Sequence, residues 1–136
     1  MNLGDVQVKT QDSMVIARLT GEIDLSNAQG IGQAIARGIT HEALGLVLDL
    51  TGLDFLDSAG IQLIYQLRED LRARGQNLIL AISDDSPPAD TLRLAGISSQ
   101  LRIRRTVEEA LAAGATGPNP FVEQAAPRLG SQEKPD

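Results

Sequence analysis

The chain has 136 residues, no Cys, no Trp, 2% aromatic residues and a formal net charge of -6 from 18 acids and 12 bases. That length suits one domain, and the absence of Cys excludes a disulfide scaffold, a thiolate zinc site and a cysteine nucleophile together. A sequence pI near 4.7 speaks against a nucleic-acid partner, because basic charge carries most non-specific affinity for nucleic acid. No apolar run approaches the roughly 18 residues that cross a bilayer, and Met1-Asn2-Leu3-Gly4-Asp5 lacks the basic and apolar regions of a signal peptide. A cytoplasmic protein without a membrane partner is therefore expected.

In chain order, Val6-Gln7-Val8-Lys9-Thr10 and Met14 to Thr20 are β-rich runs separated by Gln11-Asp12-Ser13, the pattern of an opening hairpin. Ser26 or Asn27 can cap a helix in which Ala28, Ile31, Ile35 and Ile39 recur at helical spacing. Its Gly30, Gly32 and Gly38 oppose that helix, at about 1 kcal/mol each relative to Ala where exposed. Leu46 to Leu50 reads as a short buried strand, and Thr51 to Asp57 as a loop in which apolar Leu53, Phe55 and Leu56 turn under. A second helix follows, with Ile61, Ile64, Leu67 and Leu71 on one face and Gly75 placed to stop it. Leu63 and Tyr65 fall off that stripe and fit either partner contacts or peripheral core.

Asn77 to Ile82 is the next strand, Ala89 to Ala95 a short helix ended by Gly96, and Leu101 to Arg104 a strand with one polar face. Thr106-Val107-Glu108-Glu109 is a capping-box pattern opening a last helix through Ala113, closed by Gly114. Two strands followed by helices and strands in alternation predict an α/β domain around a mixed sheet of about five strands with about four helices. From Ala115 to Asp136 there are four Pro, two Gly and no apolar period, so residues 1–114 are expected to fold and residues 115–136 to form a disordered C-terminal tail.

Enzyme templates find no residues to fill them. There is no Walker loop, no dinucleotide fingerprint between a first strand and a helix, and no G-x-S-x-G around any Ser. The single His, His41, lies in a polar turn and has no ligand-spaced partner, so no metal and no cofactor are expected. One segment stands out, Leu50-Thr51-Gly52-Leu53-Asp54-Phe55-Leu56-Asp57-Ser58-Ala59-Gly60-Ile61, where a helix starts at Asp57-Ser58. Spacing alone favours Asp57 or Ser58 as an ordinary N-cap. The alternative is that Ser58 is an exposed hydroxyl accepting a phosphoryl group, with small Ala59 and Gly60 admitting a partner's active site. A second segment, Leu19-Thr20-Gly21-Glu22-Ile23-Asp24, ends a strand and can share the same sheet edge, which would gather Glu22, Asp24, Asp54 and Asp57 around Ser58.

The ordered set of Leu19-Thr20-Gly21-Glu22-Ile23-Asp24, Leu48-Asp49-Leu50, Phe55-Leu56-Asp57-Ser58-Ala59-Gly60, Ala95-Gly96-Ile97 and Thr106 to Leu111 resembles the STAS-domain anti-sigma factor antagonists of bacteria. The likeness covers about residues 3 to 114 and implies the STAS fold. It also implies a switch protein rather than a catalyst. Ser58 then matches the serine phosphorylated by an anti-sigma factor that is also a serine/threonine kinase, and a PP2C-type phosphatase restores it. The unmodified form binds the kinase and releases a sigma factor. Glu22, Asp24, Asp54, Asp57, Ser58, Ala59 and Gly60 fall on the partner-binding edge by the same resemblance. Ala59 departs from the many relatives that carry a second Ser or Thr there, which leaves Ser58 as the acceptor. A STAS scaffold or accessory subunit that makes no use of Ser58 is the second reading.

The charge change can be weighed in advance. A phosphate adds about -1.5 to -2 charges at pH 7. The helix N-terminus favours it by about 0.3–1 kcal/mol, and screened repulsion from Asp54 and Asp57 opposes it by a similar amount, so little refolding is expected on modification.

Overall fold

The computed structural model describes residues 4–116 of the chain. Strands β1 (Asp5–Gln11) and β2 (Met14–Ile23) form an antiparallel hairpin whose register closes at Gln11↔Met14. The two turn residues, Asp12 and Ser13, both have positive φ (53 and 65). That is the primed two-residue turn whose twist suits a hairpin. Helix α1 (Ala28–Gly38), strand β3 (Gly45–Leu56), helix α2 (Ser58–Ala73), strand β4 (Asn77–Ala81) and helix α3 (Pro87–Leu94) follow. A 3-10 turn (Ser98–Gln100), strand β5 (Ile103–Arg104) and helix α4 (Val107–Thr116) complete the chain order. The sheet order is β1-β2-β3-β4-β5, with every pair after the hairpin parallel. The expected α/β architecture, a mixed five-stranded sheet with four helices, is the one observed.

Alternation along the strands divides the core in two. Val15, Ala17 and Leu19 of β2 join Leu46, Leu48 and Leu50 of β3 in a cluster with Ile31 and Ile35 of α1, Ile64, Leu67 and Leu71 of α2, and Leu92 of α3. Met14, Ile16, Val47, Ile79 and Ala81 point the other way, against Ala110 and Leu111 of α4. Three helices therefore share one face of the sheet and α4 covers part of the other. Burial of Ala28, Ile31 and Ile35 outweighs the glycines of α1, as packing commonly overrides propensity. Ile39, expected to continue the stripe, is instead the extended C-cap residue.

Strand β5 is shorter than expected, Ile103–Arg104 rather than Leu101 to Arg104, and α3 starts earlier, at Pro87; at the ends of β3 and α4 the difference has a packing reason. The predicted loop from Thr51 is strand: β3 runs on to Leu56, paired with β2 as Thr20↔Gly52, Gly21↔Leu53, Glu22↔Phe55 and Ile23↔Leu56. Gly114 does not close α4, which continues to Thr116. A Cβ at Gly114 would sit 2.6 Å from Met14 Cε, so the glycine admits the close approach of α4 to β2. Ala115 and Thr116, assigned to the tail by composition, belong to that helix, and the rest of the expected tail lies outside the described residues. By contrast Gly75 behaves as expected, at φ 74 with Gly75 N–H donating to Arg72 O and Gln76 N–H to Leu71 O. This is the Schellman closure.

Beyond that closure Gln76 is buried, and its Nε2 donates to Thr40 O and Ala43 O, both at 2.9 Å. It ties the connection before β3 to the start of β4. Replacing it by Leu takes the donor from the buried Ala43 O, while Thr40 O keeps Ala43 N–H at 3.3 Å, and an unsatisfied buried group costs about 1–3 kcal/mol. Gln76→Leu is expected to lower the urea midpoint accordingly, with an unchanged slope.

Candidate functional site

Ser58 is the first residue of α2, and it is exposed. What brings it to the edge of the sheet is the shared end of β2 and β3. Two register shifts along this pair, between Arg18 and Thr20 and between Gly21 and Glu22, each place one more residue on β3 than on β2. These are β-bulges, which bend a strand and re-aim the side chains after them. At the first, the buried Asp49 carboxylate accepts from Thr51 N–H at 3.0 Å and from the Thr51 hydroxyl at 2.6 Å. At the second, Asp54 is the extra residue of β3, between Leu53 and Phe55 in the register, and it is exposed. Gly21 opposite has φ 81, a backbone open to glycine at little cost.

The second bulge corrects the expectation for Phe55. Strict alternation would send it inward with Leu53. The extra residue instead leaves Leu53 and Leu56 buried and Phe55 44% exposed. Leu25, in the turn before α1, is 85% exposed. The apolar pattern of the sequence marks neither as surface. For Phe55 the signal was available only as the spacing of buried residues at Leu48, Leu50, Leu53 and Leu56, which breaks period two twice.

Helix α2 is joined to the strand ends by Asp57, whose N–H donates to Ile23 O at 3.2 Å. The Asp57 carboxylate accepts from Ala59 N–H at 2.8 Å and from Gly60 N–H at 3.3 Å, so it is the N-cap. The ordinary-cap reading thus falls to Asp57 and leaves the Ser58 side chain at the surface. Gly60 is buried, and a Cβ there would stand 2.1 Å from Leu56 Cδ1 and 3.3 Å from Ile23 Cγ2. Its size serves the seating of α2 on the strand ends. Ala59 is half-buried against the same core.

The turn after β2 is built from side chains. Asn27 Oδ1 accepts from Asp24 N–H at 3.0 Å, and its Nδ2 donates to Glu22 O at 2.8 Å. Asn27 occupies the N-cap position of α1 without capping it, because its amide holds the turn instead. Asp24 Oδ1 accepts from Ser26 N–H at 2.9 Å and from the Ser26 hydroxyl at 2.5 Å. The Ser26 hydroxyl first, then its N–H, hold the Asp24 carboxyl below its ordinary value. Of the four acids expected around Ser58, Glu22 and Asp24 are brought to one end of the sheet with Asp54 and Asp57 by the β2–β3 pairing. The Asp24 carboxylate is engaged with Ser26 and that of Asp57 with the helix N–H groups. His41 is exposed in its turn. Among the described residues no group of three or more His, Asp or Glu could hold a metal ion, and no helix is long and apolar enough to cross a membrane.

Comparison with known proteins agrees with this fold. The STAS domain model matches residues 5–110. The chain belongs to the STAS domain family. Among its relatives, the anti-sigma-F factor antagonist RsfA of Mycobacterium tuberculosis is 31% identical over 108 residues, covering 78% of this chain and 84% of RsfA. Among solved structures, an anti-sigma factor antagonist from Mycobacterium paratuberculosis superposes with a TM-score of 0.72 at 23% identity, covering 82% of this chain and 93% of that one. The Bacillus cell fate determinant SpoIIAA in its phosphorylated form superposes with a TM-score of 0.59 at 25% identity, covering 80% and 98%.

In this STAS domain the cap and the turn can be tested separately. Asp57→Ala removes the N-cap and is expected to destabilise the domain by about 0.5–2 kcal/mol, read from the urea midpoint. Ser26→Ala removes the larger support of the Asp24 carboxylate, so a 13C carboxyl titration is expected to show the Asp24 pKa rising toward the ordinary value. Because the folded-state pKa is depressed, the stability tied to it is present at neutral pH and lost as pH falls through that pKa. In Ser26→Ala this dependence shrinks.

Proposed function

We propose that this chain is an anti-sigma factor antagonist that works by partner switching in the cytoplasm. Unmodified, it binds an anti-sigma factor that is also a serine/threonine kinase and so frees a sigma factor. Phosphorylated on Ser58, it lets the kinase go, and a PP2C-type phosphatase returns the hydroxyl. The observation that carries this reading is the exposure of Ser58 on the first turn of α2 while Asp57, not Ser58, supplies the cap. Likeness to chains named as anti-sigma factor antagonists, and to SpoIIAA, itself so named and solved in phosphorylated form, supports it.

In the transfer, Ser58 Oγ attacks the γ-phosphorus of ATP held by the kinase. The bond to the β–γ bridging oxygen breaks, ADP departs, and the hydroxyl proton passes to a base of the kinase. The antagonist contributes a reachable oxygen and no catalytic group. Its response to the phosphate follows from the cap. The N–H groups of Ala59 and Gly60 are already bonded to Asp57, so the added phosphate gains little from the helix end. Repulsion from Asp57 at the surface is screened to about 1 kcal/mol or less. The domain therefore keeps its shape. At a desolvated interface the same charge costs several kcal/mol, which is about a hundredfold or more in affinity. Release needs only the local charge and bulk.

The test is incubation of the full chain with ATP and each anti-sigma factor kinase encoded in the source genome, followed by mass spectrometry to locate the phosphate. Phosphate on Ser58 is expected, with Ser58→Ala binding the same kinase constitutively and Ser58→Asp binding about a hundredfold more weakly. Phosphate on another residue, none at all, or equal affinity of the two variants would overturn the proposal and favour a STAS scaffold that does not use Ser58.

A further inference from the structure

Helices α1 and α2 lie side by side on one face of the sheet, and between their outer shoulders runs a groove of about 510 Å3. The two walls have the same spacing (i, i+3, i+4, i+7, i+8, i+11), from Leu25 to Ala36 and from Ala59 to Asp70. That spacing is one face of a helix, and it makes the groove roughly 16 Å long at 1.5 Å per residue. Its floor is apolar, lined by Ala28, Gly32, Ala59, Leu63 and Leu67. Gly32 is close enough that a Cβ there would stand 2.7 Å from Leu63 Cδ1. The rim is four amides, Gln29, Gln33, Gln62 and Gln66. Among the described residues the only charged one lining the groove is Asp70, which accepts from Gln66 Nε2 at 2.9 Å and lies at the far end from Ala59 and therefore from Ser58. Leu25, 85% exposed, stands at the near end.

We infer that this groove seats an amphipathic helix of the anti-sigma factor, about three turns long, apolar toward the floor and carrying a Lys or Arg opposite Asp70. The inference rests on the reading of the chain as an antagonist and extends its contact surface beyond Ser58. Three features select this occupant. The groove opens at Ala59, next to the switch residue, so a partner engaged at Ser58 already covers its near end. A helix is the shape that packs between two helices side by side. The sole charge is an acid, so its complement is a base, placed some 16 Å from Ser58 and outside the reach of a phosphate there. A second copy fits poorly, because a two-fold contact would set one concave groove against another. The segment after α4 begins across the sheet from the groove, since α4 packs on the opposite face.

The consequence is a division of labour. The groove supplies affinity that does not depend on the state of Ser58, and Ser58 supplies the switch. Leu25, Ala36 and Asp70 are all exposed, so Leu25→Ala, Ala36→Glu and Asp70→Arg leave the core untouched, which thermal melts of each variant check. With the kinase that phosphorylates Ser58, Ala36→Glu and Asp70→Arg are each expected to weaken binding at least tenfold. Leu25→Ala is expected to weaken it about threefold. As kinase substrates the variants should show a raised KM with kcat unchanged. Wild-type affinity and KM in the folded variants overturn the groove while leaving the Ser58 switch standing. If no kinase binds the wild-type chain, both readings fall together. Loss of a dimer in Ala36→Glu by sedimentation, or tighter kinase binding by the chain truncated after Thr116, would assign the groove to a second copy or to the chain's own C-terminal segment and overturn the inference.

Discussion

The parallel pairing of β2 with β3 beyond residue 50 governs the rest of the site. Thr20 to Ile23 and Gly52 to Leu56 bind each other through a ladder that neither stretch could form alone. Because that ladder exists, Ile23 O is available to the N–H of Asp57, and the first turn of α2 is held against the strand ends. The position of Ser58 is thus a consequence of main-chain hydrogen bonds on both sides of it. The close fit of Gly60 to Leu56 and Ile23 then sets how deeply the helix sits. Small residues at this junction answer to internal contact, and the surface character of the site comes from what the bulges turn outward.

This pairing also explains how much could be read from the residues themselves. The hairpin, the helices from Ala28 and Ser58, the strand at Leu46 and the stop at Gly75 all follow from patterns within short windows, where period and capping chemistry suffice. The extension of β3 does not. Its buried residues fall at Leu48, Leu50, Leu53 and Leu56, a spacing that matches neither strand nor helix, and Gly52 and Asp54 are poor strand formers. Only the partner strand makes sense of them, and the partner lies some thirty residues earlier. The exposure of Phe55 was hidden for the same reason.

The capping residue of α2 was legible as a choice between Asp57 and Ser58, and geometry separates them cleanly. One carboxylate takes two N–H groups, and the neighbouring hydroxyl is left outside. At α4 the expected reciprocal box is only half formed. Thr106 Oγ1 accepts from Glu109 N–H at 3.1 Å, but the Glu109 carboxylate accepts from Arg105 N–H rather than from Thr106. Motifs of this kind specify which residues end a helix more firmly than which donors each will find.

The cap at Asp57 carries a further meaning for how such a protein persists in a cell. A helix end already closed by its own side chain gives the folded state little reason to prefer either form of its neighbour. Unfolding rates, and with them exposure to proteases, would then be alike whether Ser58 carries a phosphate or not. On the proposed reading, modified and unmodified molecules would age at the same pace, and the ratio between them would record only the traffic of modifying partners.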